Sequence, residues 1–417
     1  MKIEELYQLY KVNGLVDTDT RSIRTNTIFF ALKGDNFNGN KFAAEALKNG
    51  AKFAVIDEVE YKTNDACILV DDVLKTLQEL ASYHRLQLGI PIVALTGSNG
   101  KTTTKELINA ILSFKYKVTA TKGNLNNHIG VPLTLLSMNS NTEIGIVEMG
   151  ANHHNEIAFL SNLVNPDYGY ITNFGSAHLE GFGSLEGVVK AKSELYDYLI
   201  ANNKTIFVNP NDEKQVAKTK DANVILFDDS IDFIAANPFV TLSLDSIDIC
   251  SNLIGIYNFS NICSAITIAK HFKVSNDQIK NTIEAYTPSN NRSQIINTDT
   301  NKIILDAYNA NPTSMKVALE SFNKMSSENK CVILGDMFEL GKYALEEHQN
   351  IVDFVNDCDF NTAYFIGENF ANTNASNFVF KDFEELKAYL HNNPIINNTI
   401  LIKGSRGMAL ERVVKLC

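Results

Sequence analysis

Thr96-Gly97-Ser98-Asn99-Gly100-Lys101-Thr102-Thr103-Thr104 joins an apolar run, Ile92-Val93-Ala94-Leu95, to Lys105-Glu106-Leu107-Ile108-Asn109-Ala110-Ile111-Leu112, where apolar residues recur at helical spacing. Strand, glycine loop, Lys-Thr and helix form the layout of a phosphate cradle. The glycines let the backbone curl so that its N–H groups point inward, and the helix N-terminus adds positive potential. Gly97, Ser98, Asn99, Gly100, Lys101, Thr102 and Thr103 are therefore the candidate nucleotide contacts. Lys101 is placed to reach the β- and γ-phosphates, and Thr102 to offer its hydroxyl to Mg²⁺. The general pattern has a glycine where this chain has Leu95, so an ordinary strand–helix turn is the competing reading. The cradle points to a nucleoside triphosphate, ATP, bound through this loop.

Working outward, 417 residues exceed one ordinary core, and two or three domains are expected. With 45% hydrophobic and 20% charged residues, the composition is that of a soluble globular protein. No apolar run is long enough to span a membrane, and Met1-Lys2-Ile3-Glu4-Glu5 carries acid where a signal peptide needs base. The expectation is a cytoplasmic monomer without membrane insertion. Cys67, Cys250, Cys263, Cys331, Cys358 and Cys417 are scattered with no Cys-x-x-Cys pair, which suits reduced thiols and argues against structural zinc. A net charge of −11 with no basic stripe excludes nucleic acid as an expected partner.

The fold class read from the chain is α/β. Strands are expected at 27–32, 53–56, 144–148, 168–172 and 205–208, and helices at 42–48 and 72–88. Pro91 breaks the chain before the loop strand, which puts a boundary near residue 88. Residues 221–254 read as β-hairpins, Ser260 to Lys270 as a helix, and Pro288-Ser289-Asn290-Asn291 as a turn and second boundary. Strands at 303–305, 331–334, 363–366 and 399–402 complete the rhythm. The domains expected are thus 1–88, 89–289 and 290–417, the central one built on a mostly parallel sheet.

Polar clusters fall where strands end, which is where open α/β sheets place ligands. Glu148 closes an apolar strand and could hold Mg²⁺ opposite the loop; taken alone, it reads equally as a helix-capping acid. Thr172-Asn173-Phe174-Gly175-Ser176-Ala177-His178 delivers a hydroxyl, an amide and an imidazole to the same edge. Val188-Val189-Lys190-Ala191-Lys192-Ser193-Glu194-Leu195 has the charge pattern of a solvated helix face.

In this order the clusters resemble the Mur ligase family, ATP-dependent amide ligases of peptidoglycan precursor synthesis. The family's phosphate loop also lacks the distant first glycine. The resemblance implies one Mg²⁺ at Thr102 and Glu148, and a second held by His178 and a carbamylated Lys192. It implies that Asn258, in Gly255-Ile256-Tyr257-Asn258-Phe259-Ser260-Asn261, faces the adenine. Arg292 matches an arginine at the junction of the central and C-terminal domains, although Asn291 stands where relatives carry glycine. The architecture implied is a central P-loop domain flanked by an N-terminal α/β domain and a C-terminal Rossmann-like domain.

Longer segments resemble the branch of this family that adds preformed D-alanyl-D-alanine to a UDP-N-acetylmuramoyl-tripeptide. They are Asp306-Ala307-Tyr308-Asn309-Ala310-Asn311-Pro312, with Ala307 for the usual serine, Leu334-Gly335-Asp336-Met337-Phe338-Glu339-Leu340-Gly341, and Ile402-Lys403-Gly404-Ser405-Arg406-Gly407. Gly123-Asn124-Leu125-Asn126-Asn127-His128 and Asp19-Thr20-Arg21-Ser22 belong with them. The diamino-acid-adding relatives carry an Asp-Asn-Pro-Arg box that is not found here.

The resemblance places Lys101, His178, Lys192 and Asn127 among the reacting groups, and Asp306 on the ribose or an ATP-linked water. Thr20, Arg21, Asn36 and Phe37 are assigned to the UDP end, with strand-end capping and turn structure as the competing reading. Asn126, Asn127, Asn309, Asn311, Ser405 and Arg406 are assigned to the peptide substrates, though Arg406 could equally cap its own helix. The expected chemistry activates a carboxylate as an acyl phosphate, which an amine then attacks. Three alternatives stay open: a diamino-acid-adding relative, a P-loop ATPase acting as a switch or motor, and a non-catalytic scaffold.

Overall fold

In the computed structural model, which describes residues 1–376 and 378–417, α1 (Ile3–Asn13) ends at Gly14, whose φ of 68° stops the helix in the left-handed region. There follow β1 (Val16–Asp17), β2 (Ile28–Phe30), a short antiparallel pair β3 (Lys33–Gly34) and β4 (Phe37–Asn38), α2 (Ala43–Lys48), β5 (Phe53–Ile56) and β6 (Cys67–Leu69). Strands β1-β2-β5-β6 form a parallel sheet in that order. α3 (Val73–Leu88) starts at Asp72, whose carboxylate accepts from the Lys75 N–H at 2.8 Å.

α3 fastens this sheet to the middle of the chain. Buried His84 bonds the Met138 carbonyl at 2.9 Å, Tyr10 donates to the Leu136 carbonyl at 2.6 Å, and Arg85 pairs with Asp167 at 2.8 Å. The boundary read near residue 88 therefore follows a helix that packs on both sides.

The central elements are β7 (Ile92–Thr96), α4 (Lys101–Ser113), β8 (Val118–Ala120), α5 (Gly130–Leu136), β9 (Ile144–Glu148), α6 (Glu156–Val164), β10 (Tyr168–Ile171), α7 (Leu179–Phe182), α8 (Leu185–Ala201), β11 (Thr205–Val208), α9 (Glu213–Lys218) and β12 (Asn223–Leu226). Six parallel strands run in the order β12-β11-β10-β7-β9-β8. β7 and β9 are buried along their whole length, as continuous apolar runs in a parallel sheet require. β12 corrects the sequence reading: residues 223–226 are a parallel edge strand, not part of a hairpin. The hairpins begin only at β13 (Ile231–Ala236), β14 (Phe239–Leu244) and β15 (Ile247–Ile254), which are antiparallel. Their buried face packs with α10 (Tyr257–His271) and α11 (Asn276–Ala285) in one apolar cluster.

The last part contains β16 (Gln294–Asn297), β17 (Lys302–Asp306), α12 (Pro312–Lys324), β18 (Lys330–Gly335), α13 (Ala344–Asn356), β19 (Thr362–Ile366), α14 (Glu368–Ala371), β20 (Phe378–Phe380), α15 (Phe383–Asn392) and β21 (Thr399–Lys403). The sheet order is β16-β17-β21-β18-β19-β20, parallel except for β16. Both edge strands, β16 and β20, escaped the sequence reading. The missing glycine before Arg292 is accommodated: Asn291 adopts φ 57°, and asparagine is among the few residues that enter the left-handed region readily. Among the described residues, no helix is long and apolar enough to cross a membrane.

Candidate active site

The register of β7 and β9 sets the site. Leu95 lies opposite Glu148, so the carboxylate emerges at the same sheet edge as the loop 97–100. Gly97 has φ 141° and Gly100 has φ 81°, and neither position tolerates a side chain. A Cβ on Gly97 would lie 2.0 Å from the Thr172 hydroxyl, which donates to the Asn99 carbonyl at 2.5 Å and pins the loop to the end of β10. Gly97→Ala is therefore expected to weaken ATP binding by roughly tenfold or more, since that hydrogen bond must break and the backbone must strain. Calorimetric titration with a non-hydrolysable ATP analogue checks this, and an affinity within twofold of wild type would show that loop shape is not limiting.

Lys101 opens α4 and curls back onto its own loop, donating to the carbonyls of Gly97 at 2.7 Å and Ser98 at 3.3 Å. Burial lowers its pKa, opposed by Glu148 and reinforced by Arg292. Glu148 is 1% exposed; its Oε1 accepts from Thr102 Oγ1 at 3.3 Å and from Asn126 Nδ2 at 2.9 Å. Its Oε2 has no hydrogen-bond partner, and Lys105 Nζ stands 3.9 Å away. A buried carboxylate oxygen without a donor, beside a threonine hydroxyl and facing a phosphate loop, suits a divalent cation. These residues fit Mg²⁺. Among the described residues, no three His, Cys, Asp or Glu side chains cluster closely enough to hold a metal unaided. Any ion here must draw ligands from hydroxyl groups, water or the nucleotide as well.

Lys105 was missed in the sequence, although a lysine four residues after Lys101 shares its helix face. It is 2% exposed, burial lowers its pKa, and Glu148 and Glu106 oppose that shift. Asn258 lines the cavity, yet its amide is committed inward: Nδ2 donates to the Ile254 carbonyl at 2.7 Å and Oδ1 accepts from Asn261 at 2.8 Å. Asn261 in turn accepts from Thr104 at 3.1 Å, and its side chain would collide with a Cβ at Gly100. This relay braces the start of α4 against α10.

Lys192 overturns the reading of 188–195 as a solvated face. It is 1% exposed on the buried side of α8, donates to the Ala151 carbonyl at 3.1 Å, and lies 5.2 Å from the Phe182 ring centroid. Burial, with Lys101 reinforcing it, pushes its pKa well below the ordinary lysine value. Lys192 does not line the cavity but stands behind Ala151, which does. His178 precedes α7 at φ 53° and bonds Glu339 of the C-terminal part through Nδ1.

The C-terminal part forms the opposite wall. The Arg292 guanidinium carbon lies 3.8 Å from the Tyr308 ring centroid, and its buried Nε has no hydrogen-bond partner. Lys403 Nζ pairs with Asp306 at 2.5 Å, and Asp306 also accepts from the Ser293 N–H at 3.2 Å. Asn311 caps α12 and donates to Asn99 Oδ1 at 2.8 Å, while Thr313 accepts from the Ser176 N–H at 2.9 Å. Asn309 and Arg406 reach the wall, with Arg406 paired to Glu411 at 2.8 Å. Ser405 does not reach it; buried, it accepts from the Phe338 N–H at 2.8 Å and supports that loop. Asn126 and Asn127 line the central side.

One cavity of about 800 Å³ is thus bounded by the loop 98–103, Glu148, Asn126 and Asn127 on one side and by Arg292, Asp306, Asn309, Asn311, Lys403 and Arg406 on the other. Thr20, Arg21, Asn36 and Phe37 are not on its wall. They lie in the N-terminal part, Thr20 and Arg21 in a short 3-10 turn, Asn36 in the turn between β3 and β4 and Phe37 on β4; Arg21 pairs with Asp19 at 2.6 Å and Phe37 stacks on Phe42 at 5.4 Å.

A phosphate loop, an acid at the neighbouring strand end and cations from a second sheet define a nucleotide-dependent enzyme site built between domains. The chain belongs to the Mur ligase family: residues 95–269 match the Mur ligase middle domain and residues 291–407 the Mur ligase glutamate ligase domain. It is 34% identical to the UDP-N-acetylmuramoyl-tripeptide--D-alanyl-D-alanine ligase of Bacillus subtilis, over 98% of this chain and 94% of the relative. The enzyme of that name from Escherichia coli is 32% identical, over 96% and 92% of the two chains. A crystal structure of MurF from Acinetobacter baumannii superposes with a TM-score of 0.85 at 29% identity, covering 96% of this chain and 92% of that one.

Proposed function

We propose that this chain joins D-alanyl-D-alanine to a UDP-N-acetylmuramoyl-tripeptide at the expense of ATP, through an acyl phosphate. The observation that carries the reading is the cavity of about 800 Å³ between the phosphate loop and the Tyr308–Asn311 and Lys403–Arg406 segments. A carboxylate and an amine do not condense in water, so the carboxylate must first acquire a leaving group. The nucleotide lies along 97–103, and the peptide substrates fill the space toward the C-terminal wall.

Bringing a carboxylate to a γ-phosphate sets anion against anion, and the residues present answer that with charge. Lys101 leaves the Gly97 carbonyl for the phosphates. Arg292, whose guanidinium lies over the Tyr308 ring, adds positive charge to the same space. Thr102 and Glu148 would hold one Mg²⁺, and His178 with a carbamylated Lys192 a second. Bound there, Mg²⁺ would offset phosphate charge and favour phosphoryl transfer. Asp306 holds Lys403 at the wall, where Lys403, Arg406, Asn309 and Asn311 supply a cation and neutral polar groups for a dipeptide with one carboxylate. Residues 1–88 would bind the UDP end, through Thr20, Arg21, Asn36 and Phe37.

Phosphate release with UDP-muramoyl-tripeptide tests the reading. Little release is expected with the tripeptide alone, and sustained release once D-alanyl-D-alanine is added. Turnover of ATP indifferent to both substrates would instead identify a free-standing ATPase.

A further inference from the structure

The C-terminal part touches the central part at a place with no obvious need for contact, the four-residue turn α7. Three contacts from 336–343 converge there. Glu339 bonds His178 Nδ1, its carbonyl accepts from the Glu180 N–H at 3.1 Å, and Tyr343 donates to the Gly183 carbonyl at 3.2 Å. Both members of the pair hold left-handed backbone, at φ 53° for His178 and 62° for Glu339. Such conformations persist only where the surroundings impose them. Phe182, at the other end of α7, is the ring over which Lys192 Nζ lies. The turn therefore carries His178 on one side and the cover of Lys192 on the other.

From this juxtaposition we infer that Glu339 is a positioning residue, which orients His178 only when the C-terminal domain is docked. An imidazole whose Nδ1–H is held by a carboxylate presents Nε2 as its acceptor, the arrangement in which outer carboxylates fix metal-binding histidines. With Nδ1 taken by Glu339, Nε2 is the nitrogen left for the cavity that His178 lines. Docking and readiness of the His178–Lys192 side are then one event, and ATP is committed only when the dipeptide-bearing wall is in place. The inference rests on the proposed roles of His178 and Lys192.

The test uses Mn²⁺ as the probe, counted by electron paramagnetic resonance on the full chain with a non-hydrolysable ATP analogue and UDP-muramoyl-tripeptide. Wild type should bind two ions. Glu339→Ala should bind the first with unchanged affinity, which also reports an intact fold, and the second about 10–100-fold more weakly. Its kcat should fall by a similar factor while KM for D-alanyl-D-alanine stays within about threefold. Glu339→Gln keeps an acceptor for Nδ1–H and should recover most of the second-ion affinity. Tyr343→Phe removes a docking contact but not the His178 partner, and should bind both ions as wild type does. Second-ion binding by Glu339→Ala within twofold of wild type overturns the inference, as does an equal loss in Tyr343→Phe. A wild type that binds one ion only overturns the inference together with the roles of His178 and Lys192, and is recognised before any substitution is made.

Discussion

Lys101→Ala is expected to lower kcat by about a thousandfold or more while leaving the circular dichroism spectrum and Tm near those of wild type. Lys101 is half-buried at the start of α4, and its ammonium rests on the carbonyls of Gly97 and Ser98, from which phosphates must draw it away. Removal of one preorganised charge donor from a transition state commonly costs 10²–10³ in rate. Here the same group also offsets the repulsion between carboxylate and phosphate. Structure and turnover measured on one sample decide the matter, and a kcat within tenfold of wild type would remove the loop lysine from the mechanism.

Lys192→Ala is expected to be nearly inactive, and to recover measurable turnover when a short carboxylate such as formate or acetate is supplied. Burial favours the neutral amine of Lys192, and a neutral amine adds to carbon dioxide, forming an N–C bond and releasing a proton to leave an anionic carbamate. Carbamylated, the buried position next to Ala151, behind the cavity wall, would present an oxygen ligand. Deleting the side chain leaves a space that a small carboxylate can enter. Turnover measured against carboxylate concentration checks this. A variant with full activity in buffer lacking carboxylates, or one that no carboxylate restores, would contradict the carbamate.

The sequence made legible whatever depends on local pattern. Strand β7, the glycine loop and α4 could be read because period, glycine placement and Lys-Thr coincide in a dozen residues. Glu148 could be placed because an acid that ends an apolar run must emerge at the sheet edge. What depends on partners distant in the chain stayed hidden. Lys192 has the neighbours of a solvated helix face, and only the packing of α8 against Ala151 and Phe182 buries it. Glu339 was visible as part of a motif, but its bond to His178 crosses 161 residues of sequence. The family resemblance sets Asn258 facing the adenine, but the commitment of its amide to Ile254 and Asn261 is not visible in the sequence. Residues 223–226 read with the hairpins because Val224-Ile225-Leu226-Phe227 is a short apolar run like the strands that follow it, and nothing local shows that its partner is β11, in parallel.

The proposed selectivity of the C-terminal wall is for a preformed dipeptide with a single carboxylate and no second ammonium. It is tested most directly by offering D-alanyl-D-alanine, L-lysine and diaminopimelate together with ATP and UDP-muramoyl-tripeptide, and weighing the product by mass spectrometry. One product is expected, heavier than the tripeptide by the dipeptide less water. A product carrying a single free diamino acid would contradict it.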